Sequence, residues 1–285
     1  MQNPDHKSRH ATTLLPPALT LAVSALLLAW TMGAAAPGNA AAIVDENAST
    51  TANHDLTSGS DILPEPEPTP EPADPEPAEQ EQEVESTPHL ALLNEKVPPG
   101  TYTRLAWAPT QSFEGIYIAT PVLVANGAEP GPTLCITAAL HGDELNGIET
   151  VRRVLYNLDP AKLRGAVIGV PIVNLQGFHS GSRYLADRRD LNRHFPGDPD
   201  GSSASRIAYS FFNEIIQHCS AVVDLHTGSF NRTNLPQLRG DLSNPKVVQL
   251  TKGFGSTVVL HSDGSKGTLR RSAVEFGIPA VTLEA

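Results

Sequence analysis

The sequence is poor in cysteine and lacks a stripe of basic residues. Two cysteines occur in 285 residues, Cys135 and Cys219, and two are too few for a disulfide framework. Each stands where a predicted strand begins, and a free cysteine there acts as a small buried hydrophobic residue. We therefore expect no bridge between them. The lack of a basic stripe excludes the usual kind of nucleic-acid-binding surface.

Residues 13–36 carry no charge at all. A polar segment with Lys7 and Arg9 precedes this apolar run, and the small-residue sequence AAAPGNAAA follows it. This order is typical of a secretory signal peptide with its cleavage site, yet the run is also long enough to cross a bilayer as a retained anchor. Residues 1–42 therefore predict a protein that is exported, either periplasmic or secreted, or that is tethered to the membrane through residues 13–36.

No lysine or arginine occurs in residues 41–90, where 13 acidic residues lie among many prolines. Such a composition cannot bury a core and favours extended polyproline II. We interpret residues 43–90 as a disordered acidic linker, with a Pro/Glu-rich binding motif as the alternative. The linker also explains the net charge of −11, because residues 91–285 contain 17 acidic and 18 basic residues. The net charge therefore says little about what the folded part binds.

From residue 91 onward, apolar strands alternate with amphipathic helices. A strand pair or edge strand is predicted in residues 115–127, and further strands in PTLCITAAL, GAVIGVPIVN, AVVDLHTG, STVVLHS and IPAVTLEA. Helical spacing of apolar residues predicts helices in ELNGIETVRRVLYNL, ASRIAYSFFNEIIQHC, NPKVVQLTKGFG and TLRRSAVEFG. This alternation predicts an α/β fold with a mostly parallel or mixed central sheet and helices on both faces. Ligands of such a sheet bind beyond the carboxyl ends of its strands.

Four groups that suit a metal site fall at that edge of the predicted sheet. His141 follows a buried strand, Glu144 lies three residues later, and His226 and Glu284 end two further strands. Because a catalytic zinc takes three histidine or carboxylate ligands, we predict one Zn²⁺ on His141, Glu144 and His226. Asp224 lies on the same strand face as His226 and is a candidate to accept its imidazole proton. Singly, each group is more often a surface or core residue; their shared position favours the metal site.

The predicted loop in residues 174–197 is rich in arginine, with Arg183, Arg188, Arg189 and Arg193. Guanidinium groups beside a zinc ion suit a carboxylate-bearing substrate and a developing oxyanion. The alternative is a solvated loop whose arginines pair with its own aspartates, and we prefer it for Arg188 and Arg189. Those aspartates are Asp187, Asp190 and Asp198.

These residues stand in four motifs that resemble, in order, those of the succinylglutamate desuccinylase/aspartoacylase family of the zinc carboxypeptidase clan. The motifs lie within residues 131–285 and are HGDE, the 174–197 loop with SRYLADRRDLNRHFPG, DLHTGSFNRTNLPQLR and GTLRRSAVEFGIPAVTLEA. The resemblance implies a zinc carboxypeptidase-like fold. It implies a role for each matching residue: zinc ligation by His141, Glu144 and His226, general base for Glu284, oxyanion stabilisation by Arg183, and substrate binding by Asn192, Arg193 and, as a looser match, Arg270.

The implied reaction is hydrolysis of the amide bond of an N-acyl amino acid or small peptide by metal-activated water, with Glu284 as base. A carboxypeptidase or peptidoglycan-peptide amidase is the alternative within the enzyme class. A tethered, non-catalytic zinc and ligand-binding module is the alternative outside it. Family members continue past the glutamate into a small β domain, so we expect residues 91–285 to be the catalytic domain without it. The expected partner is a small envelope or external molecule with a carboxylate, and neither a nucleic acid nor a protein partner is expected.

Overall fold

The apolar segments form ten strands in the computed structural model, which describes residues 89–109, 118–230 and 232–285. Within these residues, the strands before the first helix are β1 (Leu90–Leu92), β2 (Glu95–Val97), β3 (Thr101–Trp107), β4 (Thr120–Asn126) and β5 (Glu129–Ala138). The later strands are β6 (Arg164–Val170), β7 (Ala221–His226), β8 (Gln237–Gly240), β9 (Val258–His261) and β10 (Ala280–Glu284).

Eight of the strands form one mixed sheet, in the order β3-β4-β6-β5-β7-β10-β8-β9, while β1 and β2 form a separate antiparallel pair. The four central strands β6, β5, β7 and β10 run parallel to one another. On one side β3 and β4 pair antiparallel, and on the other β8 runs antiparallel to β10. The carboxyl ends of β5, β7 and β10 therefore meet at one edge of the sheet.

In the described part of the chain, five α-helices lie between these strands. They are α1 (Asn146–Asn157), α2 (Leu175–Ser180), α3 (Ser203–Glu214), α4 (Pro245–Lys252) and α5 (Leu269–Glu275). Side chains alternate across β5, so Leu134 and Ile136 pack with α1 and α4 in one apolar cluster, while Cys135 packs with α3 and α5 in another. Helices thus cover both faces of the sheet, which confirms the predicted fold class.

Among the differences from the predicted helices, one lies next to the HGDE motif and one lies within the arginine-rich loop. Helix α1 begins at Asn146, so Leu145 precedes it and is half exposed at 50%, although the predicted helix ELNGIETVRRVLYNL included this residue. A short helix, α2, occurs inside the predicted loop 174–197, because the Asn174 side chain accepts a hydrogen bond from Gly177 N and caps it. The cap stabilises a helix of six residues, which is too short for apolar periodicity to predict.

The expectation of unpaired cysteines is wrong. Cys135 and Cys219 form a disulfide, with Cα atoms 5.7 Å apart and a sequence separation of 84. Strands β5 and β7 are neighbours, with Cys135 opposite Val222, so the segment that leads into β7 brings Cys219 beside Cys135. The sequence does not reveal this adjacency, because it depends on the order of the strands in the sheet.

The amino-terminal predictions concern residues that are mostly outside the described ranges. The predicted signal or anchor (1–42), its apolar run (13–36) and the linker up to residue 88 lie there. Leu90, the last residue of the predicted linker, is the first residue of β1. Within the described ranges, none of the helices combines the length and apolar character needed to span a membrane.

Candidate metal centre and substrate cavity

Three buried side chains converge where β5 and β7 end. His141 follows β5, Glu144 lies in the turn before α1, and His226 is the last residue of β7. One donor atom from each lies within 4.8 Å of the others. His141 Nδ1 is 2.8 Å from Glu144 Oε1, and His226 Nδ1 is 2.8 Å from Glu144 Oε2. Two imidazoles and one carboxylate therefore face one point, with donors close enough for a single ion to bridge.

The turn between His141 and Glu144 explains their spacing in sequence. Glu144 N donates to His141 O at 3.2 Å, which folds both side chains to the same side. Gly142 between them packs directly on α2, where an added Cβ would come within 1.9 Å of the Gly177 carbonyl carbon. Only glycine permits this approach. The H-x-x-E pair is therefore part of a tight turn held against the neighbouring helix.

The Nε2 atom of each histidine, which points away from Glu144, lies within hydrogen-bond distance of a carboxylate. His226 Nε2 lies 2.7 Å from Asp224 Oδ2, as the strand pattern had predicted, and Asp224 Oδ1 accepts from Thr137 Oγ1 at 2.7 Å. His141 Nε2 lies 3.1 Å from Asp190 Oδ1. A carboxylate on the outer nitrogen favours a proton there and leaves the inner Nδ1 able to donate a lone pair to a metal. The donor set therefore fits Zn²⁺.

The ionisable groups of the site shift one another's pKa values. Burial raises the pKa of the Glu144 carboxyl, but hydrogen bonds with His141 and His226 outweigh it and hold that pKa far below its ordinary value. Burial lowers the pKa of His226, but Asp224 and Glu144 outweigh it and raise that pKa well above 6.5. Without a cation, the protein keeps a proton on His226 to balance the buried carboxylates.

Arg183 lies against the candidate ligands. Its guanidinium donates to Ser229 Oγ at 2.6 Å, to Asp190 Oδ2 at 2.9 Å and to Glu144 Oε1 at 3.4 Å. Ser229 Oγ in turn donates to Glu144 Oε1 at 2.5 Å. Ser229 thereby links the arginine to the carboxylate of the candidate metal site.

The solvated-loop interpretation is correct for Arg189 and wrong for Asp190. Arg189 NH1 pairs with Asp187 Oδ2 at 2.7 Å, and both side chains are partly exposed. Asp190 instead contacts His141 and Arg183, and its side chain is only 15% exposed. Burial raises the pKa of Asp190, but His141 and Arg183 outweigh it and lower that pKa well below its ordinary value. Asp190 therefore belongs to the site and not to the solvated part of the loop.

A cavity of about 610 Å³ opens from the candidate ligands. All eight residues predicted to bind zinc or substrate, to act as base or to stabilise the oxyanion line this cavity. They are His141, Glu144, Arg183, Asn192, Arg193, His226, Arg270 and Glu284.

Glu284 ends β10 directly beside His226, its register partner on β7. Its side chain is 13% exposed. Asn234 Nδ2 donates to Glu284 Oε2 at 2.7 Å, and Arg239 Nε lies 3.7 Å from Glu284 Oε1. The Glu284 carboxylate therefore stands beside the candidate metal site with a nitrogen donor near each oxygen.

The other selected residues also line the cavity. Asn192 Oδ1 accepts from Leu269 N at 2.8 Å and so fixes the start of α5. Arg193 is exposed and donates to Asn192 O at 2.8 Å. Arg270 is buried and donates to Ser262 O. Neither Arg193 nor Arg270 forms an ion pair with a carboxylate of the described residues, which makes both candidates to pair with an anion in the cavity.

Four residues of the site were not selected from the sequence. Ser229, Asn234 and Arg239 all stand in the motif DLHTGSFNRTNLPQLR, and Asp190 stands in the arginine-rich loop. Their place in these motifs is the one signal that the sequence offers. Which of the many polar residues there turn inward depends on loop conformation.

A second group of possible metal ligands lies on the surface. It comprises Asp241, His261 and Asp263, of which the last two are exposed. His261 Nδ1 already accepts a hydrogen bond from Leu242 N at 3.0 Å. This group is therefore a weaker candidate than the buried one.

Comparison with known proteins gives a family match. Residues 130–285, more than half of the chain, match the model of the succinylglutamate desuccinylase/aspartoacylase catalytic domain. N-alpha-acetyl-L-2,4-diaminobutyric acid deacetylase from Halomonas elongata is 38% identical over 112 residues, which are 39% of this chain and 32% of that protein.

Solved structures agree with this match. The product-bound ectoine utilization protein EutE (DoeB) from Ruegeria pomeroyi is 28% identical with a TM-score of 0.56, over 66% of this chain and 61% of that one. A succinylglutamate desuccinylase/aspartoacylase from Rhodobacter sphaeroides is 27% identical with a TM-score of 0.55, over 64% and 57%. The chain spans about a third of the length of the curated relative and about three fifths of these structures.

Proposed function

Because the chain belongs to the succinylglutamate desuccinylase/aspartoacylase family, as its motifs had predicted, we propose that it is a zinc-dependent hydrolase of N-acyl amino acids or small peptides. The family is one of deacylases and amidases. The observation that carries the proposal is the convergence of His141, Glu144 and His226, with Glu284 beside them, on one cavity.

The proposed metal is one Zn²⁺ per chain, held by the two inner imidazole nitrogens and the Glu144 carboxylate. When bound, zinc supplies a Lewis acid that lowers the pKa of water and polarises the scissile carbonyl. Asp190 and Asp224 hold the imidazole rings in the orientation that binding needs.

Glu284 is proposed as the general base, because its carboxylate is shielded and stands at the end of the strand beside His226. It takes the proton of the attacking water and returns it to the leaving amine. Arg183, beside Glu144, is proposed to stabilise the oxyanion that develops on the carbonyl oxygen. Departure of the amine then frees the acid and the amino acid.

The substrate is proposed to carry a carboxylate. Asn192 and Arg193 are proposed to bind it, with Arg270 as a further contact, since all three line the same cavity as Glu284 and neither arginine forms an ion pair with a carboxylate of the described residues. Arginine meets a carboxylate through two parallel hydrogen bonds, which fixes the orientation of the substrate. An amino acid with a free α-carboxylate satisfies this arrangement.

Export is proposed from the sequence of residues 1–42, either as a cleaved product or as a membrane-anchored protein. The Cys135–Cys219 disulfide supports this location, since disulfides persist in oxidising compartments and are rare in the cytosol.

The test is hydrolysis of a panel of N-acetyl and N-succinyl amino acids by the zinc-loaded chain, with Glu284→Gln as the variant. We expect the rate of the variant to fall roughly 10²–10⁴-fold while its zinc content stays the same, since general bases contribute about this factor. Glu275→Gln is the matched control, because Glu275 is exposed and pairs with Arg271 on α5; it should leave the rate unchanged.

The other outcomes would favour an alternative function or contradict the role of Glu284. Cleavage of envelope peptides in preference to acyl amino acids would favour a carboxypeptidase or peptidoglycan-peptide amidase. Bound zinc without hydrolysis of any substrate in the panel would favour a tethered, non-catalytic binding module. Full activity in Glu284→Gln would contradict the assignment of the base.

A further inference from the structure

The cavity contains a buried donor with no acceptor. Arg239 Nε is one of three buried side-chain atoms without a hydrogen-bond partner in the described residues, and it is the one whose residue lines this cavity. A buried N–H that lacks an acceptor costs free energy, so such groups are rare in folded proteins and are often found at functional sites. The carboxylate oxygen Glu284 Oε1 lies 3.7 Å from it, within ion-pair distance but too far for a hydrogen bond.

Strand pairing places Arg239 on the same face as Glu284. Strand β8 runs antiparallel to β10, with Arg239 opposite Thr282 and Gln237 opposite Glu284. Thr282 and Glu284 are two residues apart and both line the cavity, so Arg239 lies diagonally across from Glu284 on that face. A long side chain reaches a diagonal neighbour without any change of backbone.

Asn234 serves the other oxygen of the same carboxylate. Its Nδ2 donates to Glu284 Oε2 at 2.7 Å, from the segment that leads into β8. The terminal torsion of a glutamate is broad and nearly free. A hydrogen bond on one oxygen and a charged guanidinium within ion-pair distance of the other both restrict that freedom.

We propose that Asn234 and Arg239 are positioning residues that hold Glu284 in the orientation needed to take a proton from water. The inference rests on the proposed role of Glu284 as base. Arg239 is distinct from the arginines proposed to bind substrate, because Arg193 and Arg270 form no ion pair with a carboxylate of the described residues whereas Arg239 lies within ion-pair distance of Glu284. Asn234 and Arg239 act through Glu284 and do not touch the substrate.

The kinetic test uses the zinc-loaded full chain with Asn234→Ala, Arg239→Ala and Arg239→Lys, on the best substrate of the panel above. For both alanine variants we expect kcat to fall roughly 10²-fold with KM nearly unchanged, since small misplacements of a reacting group cost about this factor. Arg239→Lys should recover part of the loss, and guanidinium ion added to Arg239→Ala should do the same. Zinc content should stay at the level of the unchanged protein.

The matched control is Arg271→Ala, because Arg271 is partly exposed, lies outside the cavity lining and pairs with Glu275. It should change neither kcat nor KM. A rise in KM at constant kcat in Arg239→Ala would overturn the proposal, since it would show that Arg239 binds a substrate anion instead.

A second measurement needs no catalysis. Thermal unfolding of Asn234→Ala, Arg239→Ala, Glu284→Ala and the two double variants with Glu284→Ala tests the contacts themselves. We expect the Tm loss of either alanine variant to disappear in the Glu284→Ala background, because neighbours that share an interaction are not additive. Additive losses would overturn the proposal. Coupled losses in a chain that hydrolyses no substrate would leave the positioning contacts established and contradict the proposed function alone.

Discussion

At the candidate metal centre each histidine turns Nδ1 inward and gives Nε2 to an aspartate. For His226 the partner is Asp224, two residues away on the same strand, and for His141 it is Asp190, 49 residues away. The second contact also includes Arg183, which pairs with Asp190 at 2.9 Å. Asp190 thus links a candidate metal ligand to the proposed oxyanion-stabilising arginine. Removing its carboxylate should weaken metal binding even when no substrate is bound.

We expect Asp190→Asn to weaken zinc binding by about 10–100-fold, the usual cost of removing a carboxylate that orients a ligand histidine. Competition with a chromogenic chelator measures this affinity. Asp187→Asn is the control from the same loop, since Asp187 pairs with the exposed Arg189, and it should bind zinc like the unchanged protein. Equal affinity in both variants would show that Asp190 does not support the site.

The same residues predict how the stability of the metal-free protein depends on pH. Glu144 has a lowered pKa, so its contribution is present above pH 4.5 and is lost as the pH falls below it. His226 has a raised pKa, so its contribution is fully present below pH 6.5 and is lost as the pH rises from there through the folded-state value. Zinc, when bound, would take the place of the proton on His226. The loss of stability at rising pH should therefore not occur in the zinc-loaded protein.

Urea unfolding of the metal-free and zinc-loaded chain between pH 5 and 8 measures the His226 effect and its dependence on zinc. We expect the free energy of unfolding of the metal-free chain to decrease above about pH 6.5, while that of the zinc-loaded chain does not. A metal-free chain that becomes more stable as the pH rises through this range would contradict the charge arrangement described for His226.

At the scale of elements, the disulfide joins the two strands that lead to the candidate ligand histidines. Cys135 lies in β5, which leads to His141, and Cys219 lies just before β7, which ends in His226. Both cysteines are buried. The bridge therefore ties together the two elements that carry most of the site.

We expect the double variant Cys135→Ala/Cys219→Ala to lose about 2–5 kcal/mol of unfolding free energy, since a bridge that closes a loop of 84 residues restricts the unfolded chain strongly. Urea unfolding measures the loss, and a thiol assay on the unfolded, unreduced protein checks the bridge itself. Two titratable thiols in protein from an oxidising compartment, or a double variant of unchanged stability, would contradict this structure.

The whole molecule shows which features a sequence can predict. His141, His226 and Glu284 each follow an apolar strand, and in an α/β sheet the ends of parallel strands meet, so their placement in one cavity could be predicted from strand pattern alone. The helices on both faces could also be predicted, because strands that alternate with helices form a parallel sheet whose connecting helices cover its faces.

Features that depend on strand order or loop conformation could not be predicted in this way. The contact of Asn234 with Glu284 spans 50 residues, and the disulfide spans 84. Helix α2 has six residues, too few for a periodic pattern, and it depends on a cap at Asn174. Asp190 resembles its neighbour Asp187 in sequence, and only the path of the loop separates a partly buried partner of His141 from an exposed partner of Arg189.

Zinc content tests the central claim most directly. The full chain is loaded with zinc, dialysed and examined by elemental analysis, beside His226→Ala, Glu144→Ala and the control His261→Ala from the surface group. We expect about one zinc per chain for the unchanged protein and for His261→Ala, and almost none for the two ligand variants. An unchanged protein without zinc, or a His226→Ala variant that retains as much zinc as the unchanged protein, would contradict the account.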